Sequence, residues 1–177
     1  MLYKLLTIFF TLLFSSAVSA ERLLDSMPRT MAAKNFTLPY STAGDFSLEE
    51  YKGAFTIVNF WTTKCASCRA ELTLLEDLKQ QLAKENIALN IVAVHAGDDV
   101  DAVNEQIELN PVSYAVVMDM DLELGHWGIQ TMPTSYVLTP DGNFAYRAQG
   151  AKMWNSPQMI NFLKRVVDDY EADKSSS

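Results

Sequence analysis

The sequence predicts an α/β protein, built as a central mixed sheet with helices on both faces. Three observations carry this reading. Residues 55–61 (FTIVNFW), 87–96 and 114–118 are apolar, β-branched and aromatic runs, the pattern of strands buried on both faces. The segments between them place apolar residues at helical spacing: Leu72, Leu75, Leu78 and Leu82 after the first run, and Val100, Val103 and Ile107 after the second. Residues 135–139 and 143–149 flank Pro140-Asp141-Gly142, which reads as a hairpin closed by an Asp-Gly turn. A strand–helix–strand order implies parallel pairing, and the hairpin adds antiparallel strands to the same sheet.

The elements follow in order. Residues 1–20 read as a signal peptide: Lys4 supplies a positive start, residues 5–14 are apolar except for Thr, and Val18-Ser19-Ala20 is an acceptable cleavage triplet. An apolar stretch of ten residues, broken by Thr, is short for roughly 30 Å of hydrocarbon, so cleavage after Ala20 is expected. An uncleaved membrane anchor is the alternative. Residues 21–34 form a loosely held polar lead-in, and 35–171 form one domain. Short strands are expected at 36–38 and 46–48, with a turn over 49–53. Asn86 stops the first helix, and Asp98 or Asp99 caps the second. Asn110-Pro111 ends the second helix, and a short helix fits 122–127 before Gly128. Ser156-Pro157 opens the last helix, whose inner stripe is Ile160, Leu163, Val166, Val167 and Tyr170. Residues 172–177 read as a flexible tail.

Composition narrows the function. With 177 residues, 49% of them apolar, the chain has a globular balance and the length of one compact domain and hardly two. The net charge of −8 lacks the basic footprint of a nucleic-acid binder. Two cysteines are too few for a stapled scaffold or a cysteine-built zinc site, and no metal site is expected. Export would place both where disulfides form.

Those two cysteines carry the chemistry. Cys65-Ala66-Ser67-Cys68 lies where the first core strand gives way to a helix. A sulfur at a helix N-terminus meets unpaired N–H groups and the positive end of the helix dipole, which favour thiolate. Lys64 and Arg69 add positive charge nearby. The second sulfur, one turn on, is close enough to form a disulfide with the first. One thiol attacks and the other resolves. C-x-x-C alone also fits half a metal site or a structural disulfide. Its position inside a βαβ unit, without a second C-x-x-C, favours redox chemistry.

Residues 59–71 (NFWTTKCASCRAE) resemble the active-site block of the thioredoxin fold. More narrowly, the chain is similar to the TlpA/ResA-like exported thiol–disulfide oxidoreductases from about Lys34 to Tyr170. Residues 36–39 (FTLP) and 46–53 (FSLEEYKG) resemble that family's N-terminal strand extension. Residues 128–142 resemble its cis-proline segment and hairpin, and Gly150 follows as in the family. The resemblance implies a thioredoxin-like fold with Cys65 as nucleophile and Cys68 as resolving thiol. It implies a cis Pro133 facing the disulfide, with Met132 offering backbone groups to an extended substrate. Glu71 matches the acidic residue that ResA-like members use in proton handling. Trp61 and Lys64 border the motif and complete the expected substrate-binding set. Asn59 stands where ordinary thioredoxins carry a buried Asp, which points to the exported branch. Lys64 replaces a common Trp, Ala66-Ser67 lacks the frequent Pro, and Trp127 stands where Tyr is common.

The expected activity is therefore reduction of disulfides in exported cysteine-containing proteins, with cytochrome c maturation among the settings. A membrane thiol electron donor would re-reduce the enzyme, the redox-active disulfide would serve with no other cofactor, and the location would be periplasmic or otherwise extracytoplasmic. Two other readings compete. A thiol peroxidase is suggested by Thr62-x-x-Cys65, although position 58 is Val where a proline is expected, and Arg147 is the one remote candidate for an activating arginine. A non-enzymatic thiol or Cu(I)-binding module would use the same two sulfurs. His95 reads as a satisfied core or strand-end histidine, His126 as a surface residue, and the eight methionines are scattered.

Overall fold

The computed structural model describes residues 23–176. The expected signal peptide, residues 1–20, lies outside them. Eight strands are present: β1 (Asp25–Ser26), β2 (Thr37–Pro39), β3 (Asp45–Ser47), β4 (Phe55–Trp61), β5 (Leu89–Ala96), β6 (Ala115–Asp119), β7 (Thr134–Leu138) and β8 (Phe144–Gln149). Three α-helices, α1 (Ala66–Lys84), α2 (Val100–Leu109) and α3 (Pro157–Ser175), and two short 3-10 helices, Leu48–Tyr51 and Glu123–Trp127, complete the described residues.

Six strands form one mixed sheet in the order β1-β8-β7-β4-β5-β6. β4 pairs parallel with β5, and β5 parallel with β6; β7 runs antiparallel to β4 and β8. β2 and β3 form a separate antiparallel hairpin, with Leu38 opposite Phe46. The hairpin touches the β6 edge through Tyr40, which bridges Val117, and Ser41, whose N–H donates to the Val116 carbonyl.

Every residue of β4 is buried, and the alternation along it sorts two cores. Phe55, Ile57 and Trp61 join one cluster with residues of α1, α2 and α3, while Val58 and Phe60 join the other. That second cluster is closed by Phe36, Leu38, Phe46 and Leu48 of the hairpin region and by Leu124 and Trp127 of the second 3-10 helix. Both faces thus carry helix, α-helical on one and 3-10 on the other. In α1, Leu72, Leu75, Leu78 and Leu82 are fully buried, one stripe at helical spacing. Each removes a leucine side chain from water, worth roughly 1.5–3 kcal/mol apiece. Asp99 caps α2 by accepting from the Ala102 N–H, and Ser156 caps α3 by accepting from Met159. Pro157 takes the first turn of α3, where its missing N–H costs nothing.

Two segments differ from the sequence expectation. The lead-in is not loosely held along residues 23–34. Asp25 and Ser26 pair with Arg147 and Tyr146, the Met27 N–H reaches the Ala145 carbonyl, and the Ala33 N–H reaches Gly142. Backbone bonds to β8 and the turn before it hold this segment at the sheet edge, together with Leu24, which is buried in the core, and Met27 and Ala33, which pack on the second cluster. The expected tail is helical as far as Ser175, where α3 ends. Nothing in Glu171-Ala172-Asp173-Lys174 breaks a helix, and its exposed side chains need no core.

Candidate active site

The site forms where β4 ends and α1 begins. Cys65 is the N-cap of α1, with extended backbone (φ −107°, ψ 108°), and its sulfur accepts the Cys68 N–H at 3.1 Å. Cys65 and Cys68 are joined as a disulfide, S–S 2.10 Å and Cα–Cα 5.2 Å. The Ser67 hydroxyl lies 3.3 Å from the Cys65 sulfur. Cys65 is partly exposed, whereas Cys68 has no exposed surface. An incoming thiol or disulfide can therefore meet only Cys65. The Cys68 N–H donates to that sulfur at the N-terminus of α1, an arrangement that favours its anion once the bond is opened.

Helical spacing puts Glu71 three residues beyond Cys68 and on the same inward face. Glu71 is 1% exposed. Its Oε1 accepts the Lys152 N–H at 3.1 Å and the Trp154 indole N–H. Its Oε2, like Asn59 Oδ1, has no hydrogen-bond partner among the described residues. Burial pushes the carboxyl up to about 7, against the pull of the Trp154 and Lys152 donors and the nearby Asn59 amide. Asn59 reaches this face because it lies between Ile57 and Trp61 on β4, and its amide donates to Ser135 Oγ at 2.9 Å.

Met132-Pro133 reaches the same end of the sheet through register. Phe60 pairs with Thr134, the first residue of β7, so the two residues before Thr134 lie beside the chain leaving β4. The Met132–Pro133 peptide is cis, as the family resemblance implies. The Pro133 carbonyl accepts the Gly150 N–H at 2.9 Å, tying the segment to the end of β8. Met132 is half-buried and packs against both cores.

The remaining expected site residues divide. Lys64 is exposed beside Cys65. Trp61 has no exposed surface, so it does not belong to the substrate-contacting set; it packs below the site, its ring 5.1 Å from that of His95. The period-2 alternation of β4 dictates this, since Trp61 shares the α-helical face with Ile57. Arg147 is no partner for Cys65: it sits mid-strand on β8, opposite Tyr136, which is level with Val58 of β4. Lys152 and Trp154 were not singled out in the sequence. They precede α3 in an irregular stretch, and the one available signal was a lone buried-type Trp after Gly150.

Comparison with known proteins places this geometry. The AhpC/TSA family model matches residues 30–147. The chain belongs to the AhpC/TSA family. Within that family it resembles thiol–disulfide oxidoreductase ResA of Bacillus subtilis, 27% identical over 119 residues, which cover 67% of this chain and 65% of that protein. The chain thus matches just under two thirds of that relative. Sporulation thiol-disulfide oxidoreductase A of Bacillus subtilis is 29% identical over 146 residues, 78% of this chain and 85% of that protein. Among solved structures, the thioredoxin domain of a thiol-disulfide oxidoreductase from Bacteroides vulgatus superposes with a TM-score of 0.67 at 18% identity, covering 80% of this chain and 99% of that one. The fold is thioredoxin-like. This family member carries both sulfurs of its C-x-x-C motif at the N-terminus of one helix, in a single disulfide.

Proposed function

We propose that the chain is a thiol–disulfide oxidoreductase that reduces disulfides in exported, cysteine-containing proteins. The observation that carries the reading is the asymmetry of the pair: Cys65 is reachable and Cys68 is sealed. In the reduced enzyme, the Cys65 thiolate attacks one sulfur of a substrate disulfide. That S–S bond breaks, one substrate thiolate leaves, and a mixed disulfide forms at Cys65. Cys68 then gives its proton to Glu71 and attacks the Cys65 sulfur. The mixed disulfide breaks, the second substrate thiolate leaves, and the enzyme is left oxidised by two electrons. Glu71 suits this step because a carboxyl near 7 can take a thiol proton and return it at neutral pH.

Met132 gives an extended substrate its backbone groups, in the manner of strand addition, with the cis Pro133 beside it facing the disulfide. Lys64 adds positive charge at the rim. The redox-active disulfide serves with no other cofactor, and a membrane thiol donor restores the dithiol. The apolar start of the sequence, with its cleavage triplet, supports an extracytoplasmic location. Among the described residues no helix is long and apolar enough to cross a membrane. The names of the ResA relatives support a thiol–disulfide exchange role, and cytochrome c maturation is the setting we favour.

Insulin reduction by the purified protein, driven by dithiothreitol, tests the reading. The wild type precipitates insulin and Cys65→Ser does not. Equal activity in both, or hydrogen peroxide consumption in place of insulin reduction, would overturn it.

A further inference from the structure

We propose that His95 is a positioning residue for the reaction at Cys65: its neutral imidazole holds the loop carrying the nucleophile, and protonation releases that loop. The inference rests on Cys65 being the attacking thiol. His95 is the seventh residue of β5, paired in register with Trp61 at the end of β4. It is 1% exposed. Its Nε2 accepts the Thr63 N–H at 3.2 Å, and its Nδ1 faces the Gly97 carbonyl at 3.3 Å. A carbonyl can only accept, and a backbone N–H can only donate. The two contacts therefore assign the proton to Nδ1 and the lone pair to Nε2.

At its nucleophile end the loop between β4 and α1 is fixed by the disulfide and by the Arg69 N–H, which donates to the Cys65 carbonyl at 3.1 Å. The Thr63 carbonyl accepts the Arg69 guanidinium, and the Cys65 N–H returns to the Thr62 carbonyl at 3.1 Å. Thr63, two residues before the nucleophile, thus has its donor held by β5 and its acceptor held by α1. Imidazolium would turn a second N–H against the Thr63 N–H, and the contact would be lost. Neither sulfur is a hydrogen-bond partner of His95 among the described residues, so its influence passes through the backbone.

The charges around the ring come from several elements. Asp98 and Asp99 follow β5 and favour the cation, while Lys64 of the loop opposes it. Arg69 of α1 stands on the far side of Thr63. Asp119 of β6 lies one register position beyond Met118, the partner of His95. Burial outweighs the acids and holds the imidazole below its ordinary range. The neutral, loop-holding form therefore prevails at neutral pH and fails only towards acid.

The test is the rate of iodoacetamide alkylation of Cys65 in the reduced protein between pH 4.5 and 9, in wild type, His95→Gln and His95→Leu. This reagent reports the loop without any protein substrate, so it remains informative if insulin reduction fails. Glutamine can offer an acceptor near the Nε2 position without titrating. We expect alkylation per thiolate in wild type to change by about five- to tenfold through an acidic step, the worth of one hydrogen bond. His95→Gln should keep the neutral-pH rate within about twofold and lose the step. His95→Leu should show the acid-limit behaviour at every pH. The Thr63 amide resonance of the wild type should titrate together with the His95 ring, a readout that survives if His95→Leu does not fold. Identical profiles in wild type and His95→Gln, or a Thr63 amide unmoved while His95 titrates, would overturn the proposal.

Discussion

Glu71→Gln separates the burial of a charge from everything else at this site. In the wild type the carboxyl rises from an ordinary 4.5 to about 7. A raised acid means that the folded chain holds its proton more tightly than the unfolded chain. Below about 4.5 both states are protonated and no penalty exists. As pH climbs from there to 7 the unfolded chain loses a proton that the folded chain keeps, and stability falls. Above 7 the full cost of the buried charge is present, about 3 kcal/mol for a displacement of this size. Glutamine keeps an oxygen for the Lys152 and Trp154 donors and puts an amide N–H₂ where Oε2 had no partner. Denaturant titrations of the oxidised proteins at pH 4.5 and 8.5 would measure the difference. The variant should match the wild type within about 1 kcal/mol at pH 4.5 and exceed it by about 3 kcal/mol at pH 8.5. In melting temperature the gain at pH 8.5 is roughly 6–12 °C. Parallel pH profiles for the two proteins, or a wild type that gains stability through pH 7, would refute the reasoning.

Other consequences follow from the same geometry. Cys68→Ser should accumulate mixed disulfides at Cys65 with target proteins, visible as reducible adducts on gels, while Cys65→Ser accumulates none. The Cys65 thiol should titrate below the unperturbed value near 8.5, read as thiolate absorbance in Cys68→Ser; a normal or raised value would remove the helix-terminus argument. Glu76 accepts the Ser113 N–H at 2.7 Å, the Ser113 hydroxyl at 2.9 Å and the Gln80 amide at 2.8 Å. Burial raises this carboxyl, but those donors and Lys79 more than offset it and leave it lowered. Its contribution is therefore present above the ordinary carboxylate range and lost as pH falls through the lowered value. Glu76→Ala should cost about 2 kcal/mol at pH 7 by denaturant titration, and a loss that persists unchanged at pH 2 would contradict this account.

The strands β4 to β6 were legible as continuous apolar runs and β7 and β8 as the arms of an Asp-Gly hairpin, while the three α-helices were legible because their apolar residues recur at helical spacing. β4 ends at Trp61 and α3 starts at Pro157, as their patterns dictate. β1 was not legible: two exposed residues, Asp25 and Ser26, have no pattern, and only the free edge of β8 makes them a strand. At the site, Cys65, Cys68 and Pro133 follow from local spacing and motif. Burial of Trp61 was open to a period-2 count along β4. The Trp154–Glu71 contact was not, because it joins residues 83 apart in sequence through packing of the segment before α3 against α1. The same holds for His95 and Thr63, which meet only because β4 and β5 are neighbours in the sheet.

The most direct test of the central claim is a redox titration of the Cys65–Cys68 pair in glutathione and dithiothreitol buffers, followed by thiol alkylation and intact mass. The account predicts one two-electron transition that involves both sulfurs, with a midpoint more negative than about −200 mV, as a reductase requires. A pair that never opens across the range, or one that titrates near the roughly −120 mV of a strong oxidant, would contradict it.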